Sequence, residues 1–154
     1  MYKLIEKSLI ELNINGENKR AAVRPADTLL YILRNELELF GAKDSCENGD
    51  CGTCTVLLDG WPVKSCIMLA VEAIGHKITT IEGLKDTPIQ AAFLDKFAYQ
   101  CGYCTPGFIV TCHSLINNHP DADDETIKEW LESNLCRCTG YEEIKSAVKK
   151  VLSK

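Results

Sequence analysis

Apolar and polar positions alternate along much of the first half of the chain, as they do in strands with one buried face. The predicted strands are residues 8–14, 19–23, 53–58, 61–66 and 77–81. Asn15-Gly16 and Asp59-Gly60 separate two pairs of these strands, and both dipeptides are typical of two-residue hairpin turns. The first half therefore reads as a small sheet built from hairpins.

Helical spacing of apolar residues appears once in the first half and four times in the second. Residues 25–28 supply start signals for a helix over residues 29–39, which Gly41 is expected to end. In the second half, Thr105 and Pro106 suggest an N-cap followed by the first helical residue. The helices predicted there are residues 88–99, 107–117, 125–131 and 141–152.

The change from strands to helices divides the 154-residue chain, so we predict an α+β protein with domains at residues 1–84 and 85–154. Its 45% hydrophobic and 25% charged residues are typical of a globular protein. A net charge of −5 argues against nucleic acid as a partner, because phosphate binding requires clustered lysine and arginine. No stretch approaches the roughly 18 apolar residues that span a bilayer, so membrane insertion is not expected.

The nine cysteines change this picture most. The first residues lack the apolar segment and small-residue cleavage site of a secretory signal, so we expect a cytoplasmic protein. Cysteines stay reduced in that compartment, and many of them there indicate metal binding more often than disulfides.

Four cysteines of the first half have the spacing of a plant-type [2Fe–2S] site. Cys46, Cys51 and Cys54 form a C-x4-C-x2-C run, and Cys66 follows at the end of the next predicted hairpin. Glycines inside the run permit the backbone conformations that a loop around a cluster requires. The spacing alone therefore predicts one cluster on these four thiolates.

The second half holds two cysteine pairs, Cys101-x2-Cys104 and Cys136-x-Cys138, each just before a predicted helix. The first pair alone fits half a zinc site or a redox dithiol, but one intervening residue is uncommon in zinc sites. Helix N-termini also favour anionic thiolates. We therefore favour a second cluster, with a zinc-stabilised binding module as the alternative. The ninth cysteine, Cys112, falls on an apolar helical position and is expected to be a buried small hydrophobe.

Three segments resemble motifs of the molybdenum hydroxylases. Residues 44–56 are similar to that family's plant-type loop, and residues 100–107 and 134–141 are similar to its second-cluster motifs. The family includes xanthine dehydrogenase, aldehyde oxidoreductase, carbon monoxide dehydrogenase, nicotinate dehydrogenase and 4-hydroxybenzoyl-CoA reductase. The resemblance, over residues 8 to 150, implies a β-grasp ferredoxin domain and a four-helix-bundle domain with one [2Fe–2S] cluster each.

The resemblance also implies partners. Gln100 and Cys138 match positions that contact molybdopterin on a large subunit, and the plant-type cluster would lie towards FAD on a medium subunit. The implied role is electron transfer from molybdopterin through the second-domain and then the first-domain cluster to FAD, with no catalytic residue in this chain. A purine such as xanthine is the expected substrate of the complex. Aldehydes, nicotinate and carbon monoxide stay open, as does a free-standing ferredoxin.

Overall fold

The structure is a computed structural model that describes residues 6–153. Its first half contains a five-stranded sheet. The strands are β1 (Ser8–Ile14), β2 (Glu17–Val23), β3 (Thr55–Leu58), β4 (Trp61–Lys64) and β5 (Lys77–Thr79). Their order in the sheet is β2-β1-β5-β3-β4, with β1 and β5 parallel and the other neighbours antiparallel. Because β5 pairs with β1 on one side and with β3 on the other, it holds the two hairpins in one layer.

Both predicted hairpin turns are confirmed. Asn15 and Gly16 have φ angles of 55° and 83°, and Asp59 and Gly60 have φ angles of 50° and 90°. Two successive positive φ angles give the backbone twist that matches neighbouring antiparallel strands, and glycine adopts the second one without strain.

One α-helix, α1 (Leu29–Asn35), packs its apolar face on the sheet, and it is shorter than the 29–39 predicted. The helix ends early because the amides of Leu37 and Leu39 turn back to the carbonyls of Ile32 and Leu33. Gly41 therefore does not end the helix as expected. Instead it lies against the side chains of Ile81 and Glu82, where a Cβ would clash.

The second half consists of four helices, which confirms the α+β class. They are α2 (Pro88–Asp95), α3 (Thr105–Asn118), α4 (Asp124–Leu131) and α5 (Glu142–Leu152). The helix predicted over residues 88–99 ends at Asp95, because Phe97 turns to a φ of 51°. Cys104, not Thr105, is the N-cap of α3, so the capping prediction was off by one residue. None of the helices between residues 6 and 153 is long and apolar enough to cross a bilayer.

Each half has its own apolar core, and a third cluster joins them. The core between the sheet and α1 includes Leu12, Leu33 and Val56. The core among the four helices includes Phe93, Phe108, Ile127 and Ile144. Leu57 of β3, Leu84 and Val110 of α3 are buried together between the two halves. This seam fixes the helices against the sheet. The division after residue 84 stays a prediction, and Leu84 itself belongs to the seam.

Candidate metal centres

The first cysteine loop, residues 46–54, runs from the end of the α1 region into β3. Its backbone turns back on itself at Glu47, Gly49 and Gly52, whose φ angles are 53°, 89° and 72°. This curl brings the amide of Cys51 within 3.3 Å of the sulfur of Cys46, to which it donates. The loop therefore points backbone N–H groups at a thiol, as a site for anionic sulfur requires.

The four thiols of this loop region lie close enough to shift one another's pKa values. Burial and the neighbouring thiol of Cys54 raise the pKa of Cys66 to about 12. Burial also acts to raise the pKa of Cys51, but its hydrogen bonds with Thr53 and Cys46 outweigh burial and lower that pKa to about 6. Cys46 thus pairs with Cys51 and Cys54 with Cys66, and the structure brings together all four residues that the spacing singled out.

The second set of cysteines comes from the loops before α3 and α5. Cys104 pairs with Cys136, and Cys101 pairs with Cys138. Burial and the contact with Cys136 raise the pKa of Cys104 to about 12. The amide of Thr139 donates to the sulfur of Cys136 at 3.3 Å; although burial opposes it, this hydrogen bond lowers the pKa of Cys136.

This pairing fits two irons better than one. A structural zinc ion would hold four sulfurs about 2.3 Å from a single point, whereas each iron of a [2Fe–2S] cluster takes two cysteines. The hydroxyls of Thr105 and Thr139, next to Cys104 and Cys138, are buried without a hydrogen-bond partner among the described residues. A group carrying sulfide acceptors would suit both hydroxyls.

The two cysteine loops contact each other through their backbones. The amide of Leu135 donates to the carbonyl of Cys51 at 2.9 Å, so a loop next to Cys136 is bonded directly to a cysteine of the first set. Gly107 of α3 lies so close that a Cβ there would be 2.3 Å from the carbonyl oxygen of Gly52. Only glycine allows this approach.

A buried asparagine completes the contact. The Asn134 side chain donates to the carbonyl of Gly52 at 2.9 Å and accepts from the Thr111 hydroxyl at 2.9 Å. We call Gly52, Gly107, Asn134 and the Cys51–Leu135 hydrogen bond the junction. Sequence reasoning missed the roles of Asn134 and Gly107, although both lie inside the second-cluster motifs. The polar character of Asn134 beside a cysteine pair was the one available signal, and it did not indicate the partner, Gly52.

A second link between the loops lies at the surface. The Tyr103 hydroxyl, between Cys101 and Cys104, donates to the carbonyl of Asp44. The Asp44 carboxylate in turn forms an ion pair of 3.1 Å with Arg34 of α1. Tyr103 therefore ties the start of α3 to the entry of the first cysteine loop.

The remaining predicted residues divide into exposed and buried positions. Gln100, Cys101 and Cys138 are exposed beside one another in the second set. Cys112 is fully buried in the helical core, where burial raises its pKa, and this confirms the prediction that it is a small hydrophobe.

The fold and the cysteine pairs define a class of protein, one with two [2Fe–2S] domains in sequence. Two family models match the chain accordingly. Residues 12–75 match a 2Fe-2S iron-sulfur cluster binding domain, and residues 80–149 match a [2Fe-2S] binding domain.

Curated relatives and a solved structure identify the family. The chain is 44% identical to the nicotinate dehydrogenase small FeS subunit of Eubacterium barkeri, over 94% of this chain and 95% of that protein. It is 43% identical to a probable xanthine dehydrogenase subunit of Bacillus subtilis (strain 168), over 89% of this chain and 81% of that protein. It superimposes with a TM-score of 0.90 on quinoline 2-oxidoreductase from Pseudomonas putida 86, at 39% identity and covering 96% and 94% of the two chains. The chain belongs to the small iron–sulfur subunits of the molybdenum hydroxylase family.

Proposed function

We propose that this chain is the electron-transfer subunit of a molybdenum hydroxylase. Two sets of cysteines hold one [2Fe–2S] cluster each. The first-domain ligands are Cys46, Cys51, Cys54 and Cys66. The second-domain ligands are Cys101, Cys104, Cys136 and Cys138. A bound [2Fe–2S] cluster takes up and releases one electron at a time.

One observation supports this role above the others: the loops that carry the two cysteine sets are hydrogen-bonded to each other. The Leu135 amide and the Cys51 carbonyl connect the loop before Cys136 to the first loop at 2.9 Å. Gly52 and Gly107 let the backbones meet without an intervening side chain. A protein that used its cysteines only to stabilise separate domains has no need of such close contact between the two loops. A relay does need it, because electron transfer weakens steeply with distance.

The partners follow from the family. A large subunit would carry molybdopterin, contacted by Gln100 and Cys138, both of which are exposed and therefore open to another chain. A medium subunit would carry FAD on the side of the first-domain cluster. We infer a cytoplasmic complex, in which this chain supplies no catalytic residue.

The substrate belongs to the large partner, and we propose a purine such as xanthine as the first to test. One relative is named for xanthine and another for caffeine, which are both purines. Others are named for nicotinate and aldehydes, so these form the comparison set.

The test is to express the chain from its native promoter and to purify it without oxygen, together with any subunits that stay bound to it. We expect a brown complex that contains molybdenum and flavin, and both iron–sulfur signals should appear in EPR spectra when one of these substrates is added. A colourless protein containing zinc would refute the cluster assignment. A brown protein that always purifies alone would support the free-standing ferredoxin instead.

A further inference from the structure

Lys64 occupies an unusual place between the two cysteine sets. It is the last residue of β4, two positions before Cys66, and its side chain is half-buried. Its ammonium group donates to the carbonyl of Ser133, which lies just after α4 and three positions before Cys136. The lysine therefore reaches from the sheet across to the loop of the second set.

The groups around Lys64 also differ from those around the six lysines that form ion pairs with carboxylates. The ion pairs within residues 6–153 include Lys7, Lys19, Lys128, Lys145, Lys149 and Lys150, each beside a carboxylate. Lys64 forms none of these pairs. The Ser133 carbonyl that it meets lies 2.7 Å from the position that a Cβ of Gly52 would take, so the ammonium group is held beside the loop between Cys51 and Cys54.

Burying an ammonium group without a carboxylate costs free energy, and burial does lower the pKa of Lys64. The Ser133 carbonyl offsets part of this cost, because it lies at the C-terminal end of α4, where the helix dipole is negative. Thiolates bound to iron would offset more of it. The position therefore suits a cation that faces an anionic cluster and suits a neutral protein interior poorly.

We propose that the positive charge of Lys64 raises the reduction potential of the first-domain cluster relative to that of the second-domain cluster. This inference rests on the proposed function. A cluster becomes more negative when it accepts an electron, and a fixed positive charge nearby stabilises that reduced state. Since Lys64 lies two residues before Cys66 and pairs across the sheet with Thr55, which follows Cys54, its charge is held next to the first set and the second cluster should be affected less. Electrons arriving at the second cluster would then be drawn towards the first.

Three variants of the whole complex separate charge from packing. Lys64→Gln removes the charge and keeps a donor for the Ser133 carbonyl, Lys64→Met removes both, and Lys64→Arg keeps the charge. Lys19→Gln is the matched control, because Lys19 lies on β2 at the opposite edge of the sheet from β4 and is also one positive charge. The midpoint potential of each cluster is read from its own EPR signal during a redox titration.

We expect Lys64→Gln and Lys64→Met to change the equilibrium constant for electron transfer between the two clusters about tenfold in favour of the second. This corresponds to ~59 mV in the difference between the two midpoint potentials, for a one-electron couple. Lys64→Arg and Lys19→Gln should stay near the parent. A purely structural lysine would give a different pattern, in which Met lowers stability, Gln rescues it and the potentials do not move.

The inference is overturned if Lys64→Gln binds both clusters and leaves the difference between their potentials unchanged. If Lys64→Met does not fold, Lys64→Gln against Lys64→Arg decides the matter alone. A parent complex without two [2Fe–2S] signals would instead refute the proposed function, so the two failures are distinguishable.

Discussion

The two cysteine sites differ in how much of the cluster environment this chain supplies. In the first site, one loop and Cys66 enclose the position, and Cys54 and Cys66 are only 2% and 7% exposed. In the second site, loops from the starts of two helices meet, and Cys101 and Cys138 lie exposed. The first site is thus largely completed within the chain, whereas the second presents two of its thiols to the outside.

This difference determines which residues control the environment of each site. An enclosed site keeps its dielectric and hydrogen bonds constant, so its electron affinity is set by residues such as Lys64 and the N–H groups of its own loop. We expect a site with exposed thiols to take part of its environment from a partner subunit. The junction between them holds their separation constant in either case.

The largest expected effect comes from removing one ligand from each site. Cys54→Ser should abolish the first-domain EPR signal and retain the second, and Cys101→Ser should do the reverse, with iron content falling by about half in each. Because Cys54 is buried and Cys101 exposed, the first variant should also lose more thermal stability. If either variant loses both signals while the protein remains folded, the two sites are not independent and the comparison fails.

Gly107→Ala tests the junction. Alanine normally stabilises a helix relative to glycine by about 1 kcal/mol, so helix propensity alone predicts a gain. The structure predicts a loss of about 1–3 kcal/mol instead, since the added methyl group would meet the Gly52 carbonyl at 2.3 Å. Chemical denaturation of the loaded subunit measures the difference.

Gly140→Ala is the matched control, because a Cβ at Gly140 meets nothing within 4 Å. It should change the free energy of unfolding little. A stabilised Gly107→Ala protein would show that the loops do not meet as described.

The two halves should also differ in how acid affects them. Asp27 is buried in the first half and accepts from the Arg24 amide and guanidinium at 2.7 and 2.9 Å, and the Arg24 contact holds the pKa of that carboxyl below its usual 3.8. A lowered pKa means that this stabilisation is complete above pH 3.8 and is lost as the pH falls through the folded-state value. Asp27→Asn should therefore cost about 1–2 kcal/mol at pH 7 and progressively less below pH 4.

Asp124 provides the comparison from the helical half. It is exposed and pairs with Lys145 and Lys149 at 3.2 and 2.6 Å, and exposed pairs contribute little. Asp124→Asn should lower the melting temperature at pH 7 less than Asp27→Asn does. Equal shifts would contradict the account of Asp27 as a buried, structured carboxylate.

The smallest effect is expected at Cys112. Since it is fully buried in the helical core, Cys112→Ala should leave both EPR signals intact and reduce stability by about 1 kcal/mol. Thiol labelling of the native, loaded subunit should not modify it. Loss of a cluster signal in this variant would mean that the ninth cysteine is a ligand after all.

Much of the fold could be predicted from local signals in the sequence. Alternation and the turn pairs Asn15-Gly16 and Asp59-Gly60 give the hairpins, because these signals act over a few residues. The end of α1 could not be predicted, since the apolar residues Leu37 and Leu39 keep the helical spacing although their amides turn back to Ile32 and Leu33. Such a turn is decided by packing against the rest of the chain.

The cysteine sites show the same division. The spacing of Cys46, Cys51 and Cys54 fits one loop and can be read from the sequence alone. The junction could not, because Asn134 and Gly52 are 82 residues apart and nothing local pairs them. Lys64 was missed for the same reason, as its partner is the backbone carbonyl of Ser133.

The proposed function requires that one chain carry two distinct [2Fe–2S] clusters. The most direct measurement is the EPR spectrum of the fully reduced complex, integrated and compared with its iron and zinc content. We expect two distinguishable signals, each close to one unpaired electron per chain, with about four irons and no stoichiometric zinc. A single signal, or stoichiometric zinc in place of iron, would contradict it.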